Sequence, residues 1–347
     1  MGRGWQLEET YICNILSFLN NRTMDIPKSI NTCLSNFKND MKSNGQNILS
    51  GFEYYDKVTH GFIKGTLTVI ASRPSMGKSA FADTIALKLA LKEKKSVLYY
   101  SIEANQYALM NRFVSNVSGV NLNSLLTGDL TKEEDIEVDK AIKSLSESSL
   151  HIEFKPEIEI SQLTHSIRLL ASATKIDGND IDIIFIDYLQ LITARDFNTP
   201  NREQEIGFVV RKLKSLAKEL NIPIVVLSQL NRGGIDRKIW QRPILADLRD
   251  SGVIEDVADV ICFIHRPEYY GLTQDEEGLS TIGLAEVIIS KNRHGAVDTI
   301  KFRFNKNNCS FSDYDDEGEY LESGINTFID NTSDLGGFSG DSKNPPF

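Results

Sequence analysis

The chain has 347 residues, 41% hydrophobic and 25% charged, enough to bury one large core or two small ones and too ordinary a balance for a disordered or collagen-like polymer. No stretch approaches the roughly 18 consecutive apolar residues of a membrane span, and no basic segment leading into an apolar one opens the chain, so the expected address is the cytoplasm, with no membrane partner. Formal net charge is −10, but from Asp313 onward nine acids face one base, which leaves 39 acids against 37 bases in the preceding 312 residues; that near-neutral body can carry a local basic groove.

Residues 1–48 read as a short helical segment. Ile12, Ile15, Leu16 and Leu19 are apolar at helical spacing, and after Pro27 so are Ile30, Leu34, Phe37 and Met41, until Ser43-Asn44-Gly45 breaks the pattern. From residue 49 to about 312, β-rich apolar runs alternate with amphipathic stretches. Strands are expected at 67–71, 97–101, 151–154, 182–187, 223–228, 259–265, 284–290 and 299–304, with helices near 77–92, 105–117, 131–147, 160–175 and 203–220. Runs such as Ile183-Ile184-Phe185-Ile186 and Ile224-Val225-Val226-Leu227 predict burial on both faces, as in a mainly parallel sheet flanked by helices, with ligands at the carboxyl ends of the strands. Residues 313–347 are polar, acidic and glycine-rich and read as a disordered tail.

The four cysteines (Cys13, Cys33, Cys262, Cys309) form no CxxC pair and the five histidines no HxxxH or HExxH spacing, which argues against a disulfide framework and a structural zinc. The chemistry lies elsewhere. The strand at 67–71 leads into Ser72-Arg73-Pro74-Ser75-Met76-Gly77-Lys78-Ser79, followed by a helix. Strand, tight loop and Gly-Lys-Ser at a helix start make a P-loop: backbone N–H groups face an anion, Lys78 reaches the outer phosphates and Ser79 offers a hydroxyl to Mg²⁺. Ser72 stands where the bare pattern has its first glycine. Asp187, closing an apolar strand, suits the Mg²⁺ shell, and Glu103, just after the strand at 97–101, suits a base for the attacking water. The expected cofactors are thus a nucleoside triphosphate and Mg²⁺.

In order, these residues resemble the RecA-like P-loop motor domain of the DnaB family of replicative helicases. The likeness begins at Ser50-Gly51-Phe52-Glu53-Tyr54-Tyr55-Asp56 and passes through Gly61 and Gly65 to the loop Arg73, Pro74, Ser75, Met76, Gly77, Lys78 and Ser79, a form that commonly lacks the first glycine. It continues through Tyr100-Ser101-Ile102-Glu103, Asp187-Tyr188-Leu189-Gln190-Leu191, Arg202-Glu203-Gln204-Glu205-Ile206 and Leu227-Ser228-Gln229-Leu230-Asn231-Arg232. It ends with Asp247-Leu248-Arg249-Asp250-Ser251-Gly252, Arg266-Pro267-Glu268-Tyr269-Tyr270 and Lys291-Asn292-Arg293-His294-Gly295.

The resemblance implies a homohexamer with ATP at subunit interfaces, Lys291 and Arg293 acting on the γ-phosphate of the neighbouring subunit, Gln229 sensing that phosphate, and Arg249, Asp250 and Gly252 lining a channel for single-stranded DNA. The stretch Arg232–Lys238 is a second candidate channel loop. Residues alone also allow Lys291–Gly295 to be a basic hairpin turn, Gln229 a strand-end residue satisfying backbone groups, and Glu103 a helix-start acid. Most of the family carries a longer N-terminal domain used for collar formation and primase contact; about 50 residues precede the motor here, of which 27–41 can serve as a linker helix, so the resemblance carries over contacts with primase or a helicase loader only weakly. Three functions compete: an ATP-driven helicase, a RecA-fold ATP-dependent DNA-binding or assembly protein that does not unwind, and a RecA-fold ATPase acting on protein.

Overall fold

The computed structural model describes residues 30, 34, 38, 47–177, 180–195, 197, 201–230, 241–275 and 277–314, without the side chains of 174–177 and 249–251. The chain divides into two units, residues 1–46 and 47–347. In the first, the described residues Ile30, Leu34 and Lys38 are helical and exposed; the other apolar positions expected there lie outside the described residues. The second unit holds everything that follows.

Its strands are β1 (Leu67–Ser72), β2 (Val97–Ser101), β3 (Leu150–Phe154), β4 (Ile158–Glu159), β5 (Ile183–Asp187), β6 (Ile192–Thr193), β7 (Ile224–Gln229), β8 (Val260–His265), β9 (Leu284–Asn292), β10 (Asp298–Asn305) and β11 (Ser310–Asp313). Nine of them form the central sheet, in the order β11-β10-β9-β8-β1-β7-β5-β2-β3. From β8 to β3 all neighbours are parallel, and β9, β10 and β11 extend one edge antiparallel. The two-residue strands β4 and β6 pair separately. The fold is α/β with a mainly parallel sheet, as the apolar runs lead one to expect.

Successive strand residues point to opposite faces, and each face has its own core. Ile183, Phe185, Val225 and Leu227 pack with helices α1 (Glu53–Thr59), α2 (Lys78–Leu91) and α3 (Gln106–Ser118). Ile184, Ile186, Ile224 and Val226 pack with α6 (Ile160–Asp177), α7 (Arg202–Leu220) and α8 (Gly252–Val257). All eight strand residues are buried, each contributing on the order of 1.5–3 kcal/mol. Helices α4 (Leu122–Thr127) and α5 (Lys132–Ser146) complete the set. None of the described helices is long and apolar enough to cross a membrane.

Helix α2 is buried on nearly every side, because the lead-in before β1 also packs on it. Asp56 accepts from the N–H groups of Ser50 (2.8 Å) and Gly51 (3.3 Å), which sets Phe52 parallel to Phe81 at 5.8 Å. Lys88 of α2 donates to the Gly51 carbonyl (2.9 Å) and lies 3.8 Å over the Phe52 ring. The Gly-Phe motif of the lead-in therefore clamps the helix that follows the phosphate loop.

Candidate active site

The loop 73–77 joins β1 to α2 at the carboxyl edge of the parallel strands. Ser75 (φ 64°) and Gly77 (φ 89°) both take the left-handed conformation that turns successive N–H groups to one side. At Gly77 a side chain is disfavoured twice, by that φ and by Phe311 of β11, 3.3 Å from where a Cβ would stand. The loop leans on the neighbouring wall: Arg73 donates to the Gln241 carbonyl (2.8 Å) and lies 3.7 Å from Asp247. Helix α2 starts with Lys78 and Ser79, its N-terminal amides adding positive potential.

Lys78 is buried and donates to Asp187 Oδ1 at 3.0 Å, with Glu103 at 3.7 Å and the Tyr188 ring at 4.6 Å. Asp187 is itself buried, whereas the Glu103 side chain is 53% exposed. The two carboxylates meet because β2 and β5 are neighbours in register Ser101↔Asp187, and the Asp187 carbonyl then accepts from the N–H groups of Ile102 (2.8 Å) and Glu103 (3.2 Å). Glu103 precedes α3, whose N-cap is Asn105, so it is not a helix-start acid. Among the described residues no group of three or more ligating side chains forms a metal cage. The donor set, one carboxylate and the Ser79 hydroxyl, fits Mg²⁺, which binds through one or two carboxylates and keeps waters and substrate phosphates as its other ligands.

Beneath this centre lies an ion pair, with a buried carboxylate, that the sequence reading missed. Asp83 of α2 accepts from Arg112 Nε of α3 (2.8 Å) and from the Tyr99 hydroxyl of β2 (2.7 Å). Burial pushes the Asp83 carboxyl up against the opposing pull of Arg112. Beside the loop, His265 ends β8 opposite Glu286 of β9, which Arg242 grips through two nitrogens at 2.6 and 2.5 Å. Burial lowers His265 to about 4, with Glu286 opposing and Arg242 and Arg73 adding to the fall.

Gln229 closes β7 opposite Ser72, the last residue of β1, so the structure brings it to the phosphate loop. Its backbone is held by Gln190, another residue passed over as a site although it stands in the quoted Asp187–Leu191 motif. Lys291 and Arg293 lie elsewhere. Lys291 donates to the carbonyls of Glu255 and Asp256, and Arg293 to that of Asp256 while standing 3.7 Å from the Asp259 carboxylate. Asp259 also accepts from the Leu67 N–H (2.7 Å) and from Lys214 (2.6 Å). Leu67 starts β1 and the phosphate loop follows its end, so the length of a six-residue strand, about 17 Å, separates Arg293 from Lys78 of the same chain. Residues 293–297 do form the turn of the β9–β10 hairpin, as the simpler reading of that motif had it.

Arg249 and Asp250 lie in the 3-10 segment Leu245–Ser251, and Gly252 begins α8; of the first two only the backbone is described. The second candidate channel loop, 232–238, and the tail beyond residue 314 lie outside the described residues.

A strand-loop-helix phosphate cradle, a buried carboxylate at the end of a neighbouring strand and a mainly parallel sheet together define a P-loop nucleotide-binding domain. The chain belongs to the family of the DnaB-like helicase C-terminal domain, whose model matches residues 47–313. It is 36% identical over 265 residues to a probable replicative DNA helicase of Trieres chinensis, covering 76% of this chain and 57% of that protein. With the replicative DNA helicase DnaC of Bacillus subtilis it shares 36% over 275 residues, 78% and 58% of the two chains. A probable plasmid replicative DNA helicase of Chlamydia psittaci is 39% identical over 256 residues, 74% and 53%. The chain thus spans little more than half the length of these relatives. Among solved structures, an isolated ATPase domain superposes with a TM-score of 0.74 at 30% identity, covering 84% of this chain and all of that one. A DnaB-like replicative helicase, described with its interactions with primase, gives 0.70 at 29%, covering 88% and 71%.

Proposed function

We propose that this chain is the motor of an ATP-dependent DNA helicase that moves on single-stranded DNA and unwinds duplex at a replication fork, working in the cytoplasm as a homohexameric ring. The motor occupies residues 49–312, between a linker segment (1–48) and an acidic tail (313–347). The observation that carries this reading is the division of the centre: Lys78, Asp187 and Glu103 converge at one end of the sheet, while Arg293 stands at the other, out of reach of its own subunit's phosphates.

Residues 73–79 cradle the phosphates, with Lys78 supplying charge to the outer two and Ser79 and Asp187 the protein oxygens for Mg²⁺. Bound there, Mg²⁺ neutralises charge on the phosphate oxygens. Glu103, half exposed and 3.7 Å from Lys78, takes the proton of the attacking water. Arg293, with Lys291, reaches from one subunit to the γ-phosphate of the next and stabilises the charge that develops there. Gln229 answers to the presence of that phosphate. Arg249, Asp250 and Gly252 hold the DNA backbone, contacts that bind phosphate without reading bases and so suit a translocating motor.

Steady-state ATP hydrolysis with and without single-stranded DNA, for the wild type and Arg249→Ala, tests the reading alongside strand displacement on a forked duplex. Stimulation by DNA that the substitution removes, together with displaced strand, is the expected result. Turnover and DNA binding without displacement select the non-unwinding assembly protein, and turnover indifferent to DNA selects an ATPase that acts on another partner.

A further inference from the structure

Gln190 stands in the 3-10 turn Leu189–Leu191, three residues beyond Asp187. Its side-chain amide reaches across to the end of β7. Nε2 donates to Ser228 Oγ (2.9 Å) and to the Gln229 carbonyl (3.1 Å), while Oε1 accepts from the Gln229 N–H (3.2 Å). The amide thus faces the Gln229 backbone with both its donor and its acceptor, as a neighbouring strand would, at a point where β7 has run past its β5 partner. The side chain of Gln229 makes no hydrogen bond among the described residues, so its backbone is pinned and its own amide is left for something else.

The anchors on either side are also fixed. Arg202 donates to the Gln190 carbonyl (2.7 Å), and Glu205 accepts from the Ala194 N–H (2.8 Å), which holds the turn to α7. Leu230 donates to the Ser72 carbonyl (2.9 Å), which ties the residue after Gln229 to the entry of the phosphate loop. Gln190 is therefore the side chain joining the segment that follows Asp187 to the strand end that carries Gln229.

We propose that Gln190 is a positioning residue: it sets the Gln229 backbone so that the free amide of Gln229 meets the terminal phosphate, and it couples the segment after Asp187 to the end of β7. This rests on the reading of Gln229 as the residue that answers to that phosphate. The chemistry of the amide makes the claim testable. Gln190→Ala removes both faces and opens the Gln229 N–H and carbonyl. Gln190→Glu keeps shape and acceptor but sets a carboxylate oxygen against the Gln229 carbonyl.

The experiment is steady-state ATP hydrolysis across ATP concentration, with and without single-stranded DNA, on the full chain for the wild type, Gln190→Ala, Gln190→Glu, Gln229→Ala and the Gln190→Ala/Gln229→Ala double variant. Gln190→Ala is expected to lower DNA-stimulated kcat about tenfold while KM for ATP stays within about twofold. Gln190→Glu is expected to be no better despite its shape. The double variant should be no slower than Gln229→Ala alone, since a residue acting through another adds nothing once that one is gone. Losses that multiply in the double variant, or a Gln190→Glu that works like the wild type, overturn the proposal while leaving the role of Gln229 intact. A Gln229→Ala indistinguishable from the wild type overturns the reading of Gln229 and the proposal with it. A fall in thermal midpoint of Gln190→Ala with DNA stimulation undiminished assigns Gln190 to stability alone and also overturns it. If Gln190→Ala does not fold, Gln190→Met, which keeps the bulk and drops both polar faces, replaces it in the same comparison.

Discussion

The two ends of the parallel sheet hold charge in different ways. At the carboxyl end, Lys78 is paired with Asp187 and Glu103, groups that a phosphate and its metal can replace or recruit, so its partners are exchangeable. At the amino end, Asp259 is gripped by Lys214, the Leu67 N–H and Arg293, and the strand start depends on it. One end is arranged to change partners; the other is arranged to keep them while presenting a half-exposed arginine outward. On the function proposed above, a six-residue parallel strand separates the chemistry a subunit performs from the charge it offers.

The largest effect follows from that separation. Lys78→Ala and Arg293→Ala should each lower ATP turnover about 10³-fold or more, but only the first should weaken nucleotide binding, measured by fluorescence of a labelled ATP analogue. Mixing the two inactive proteins should restore activity, because an intact phosphate loop then meets an intact arginine at roughly a quarter of the interfaces in a random equimolar assembly. Equal loss of binding in both variants, or a mixture as inactive as its parts, breaks the division of labour.

At the amino end, Lys214→Met leaves Asp259 buried without its main cation and should cost about 3 kcal/mol in urea unfolding. A cost below about 1 kcal/mol would show that Asp259 does not hold that edge. At the carboxyl end, the acid-sensitive group is His265. Burial keeps it neutral with its pKa near 4 against an ordinary 6.5, so its contribution is present above pH 6.5 and is lost as pH falls from 6.5 toward 4, by about 2–3 kcal/mol. His265→Gln should flatten that part of the stability curve; an unchanged slope would move the acid sensitivity elsewhere.

The sheet was legible in the sequence because its central strands are apolar on both faces, and the phosphate loop because strand, loop and helix adjoin in the chain. Short pieces were not: β4 and β6 have two residues each, α4 and α8 six, too few to show a period. The lead-in helix α1 is seven residues whose apolar side is aromatic and packs on α2. In the site, Lys78, Asp187 and Glu103 were readable from their places at strand ends. Gln190 was not, because its partners are 38 and 39 residues away and side-chain hydrogen bonds across the end of a sheet leave no periodic trace. The Asp83–Arg112 pair was missed for the same reason: two charged residues on successive helices look like solvated faces until the helices are packed together.

On the proposed trans role, the placement of Arg293 also constrains how many centres an assembly can use. If, as proposed above, Arg293 serves the neighbouring centre, subunits joined end to end each lend an arginine to one neighbour and borrow one from the other, so an open row of any length has one phosphate loop with no lender and one arginine with no borrower. Closing the row turns both leftovers into a working centre without adding a subunit. On the function proposed above, a ring parted to admit a strand of DNA is a motor with one cylinder idle, and the strand's capture coincides with the return of full firing order.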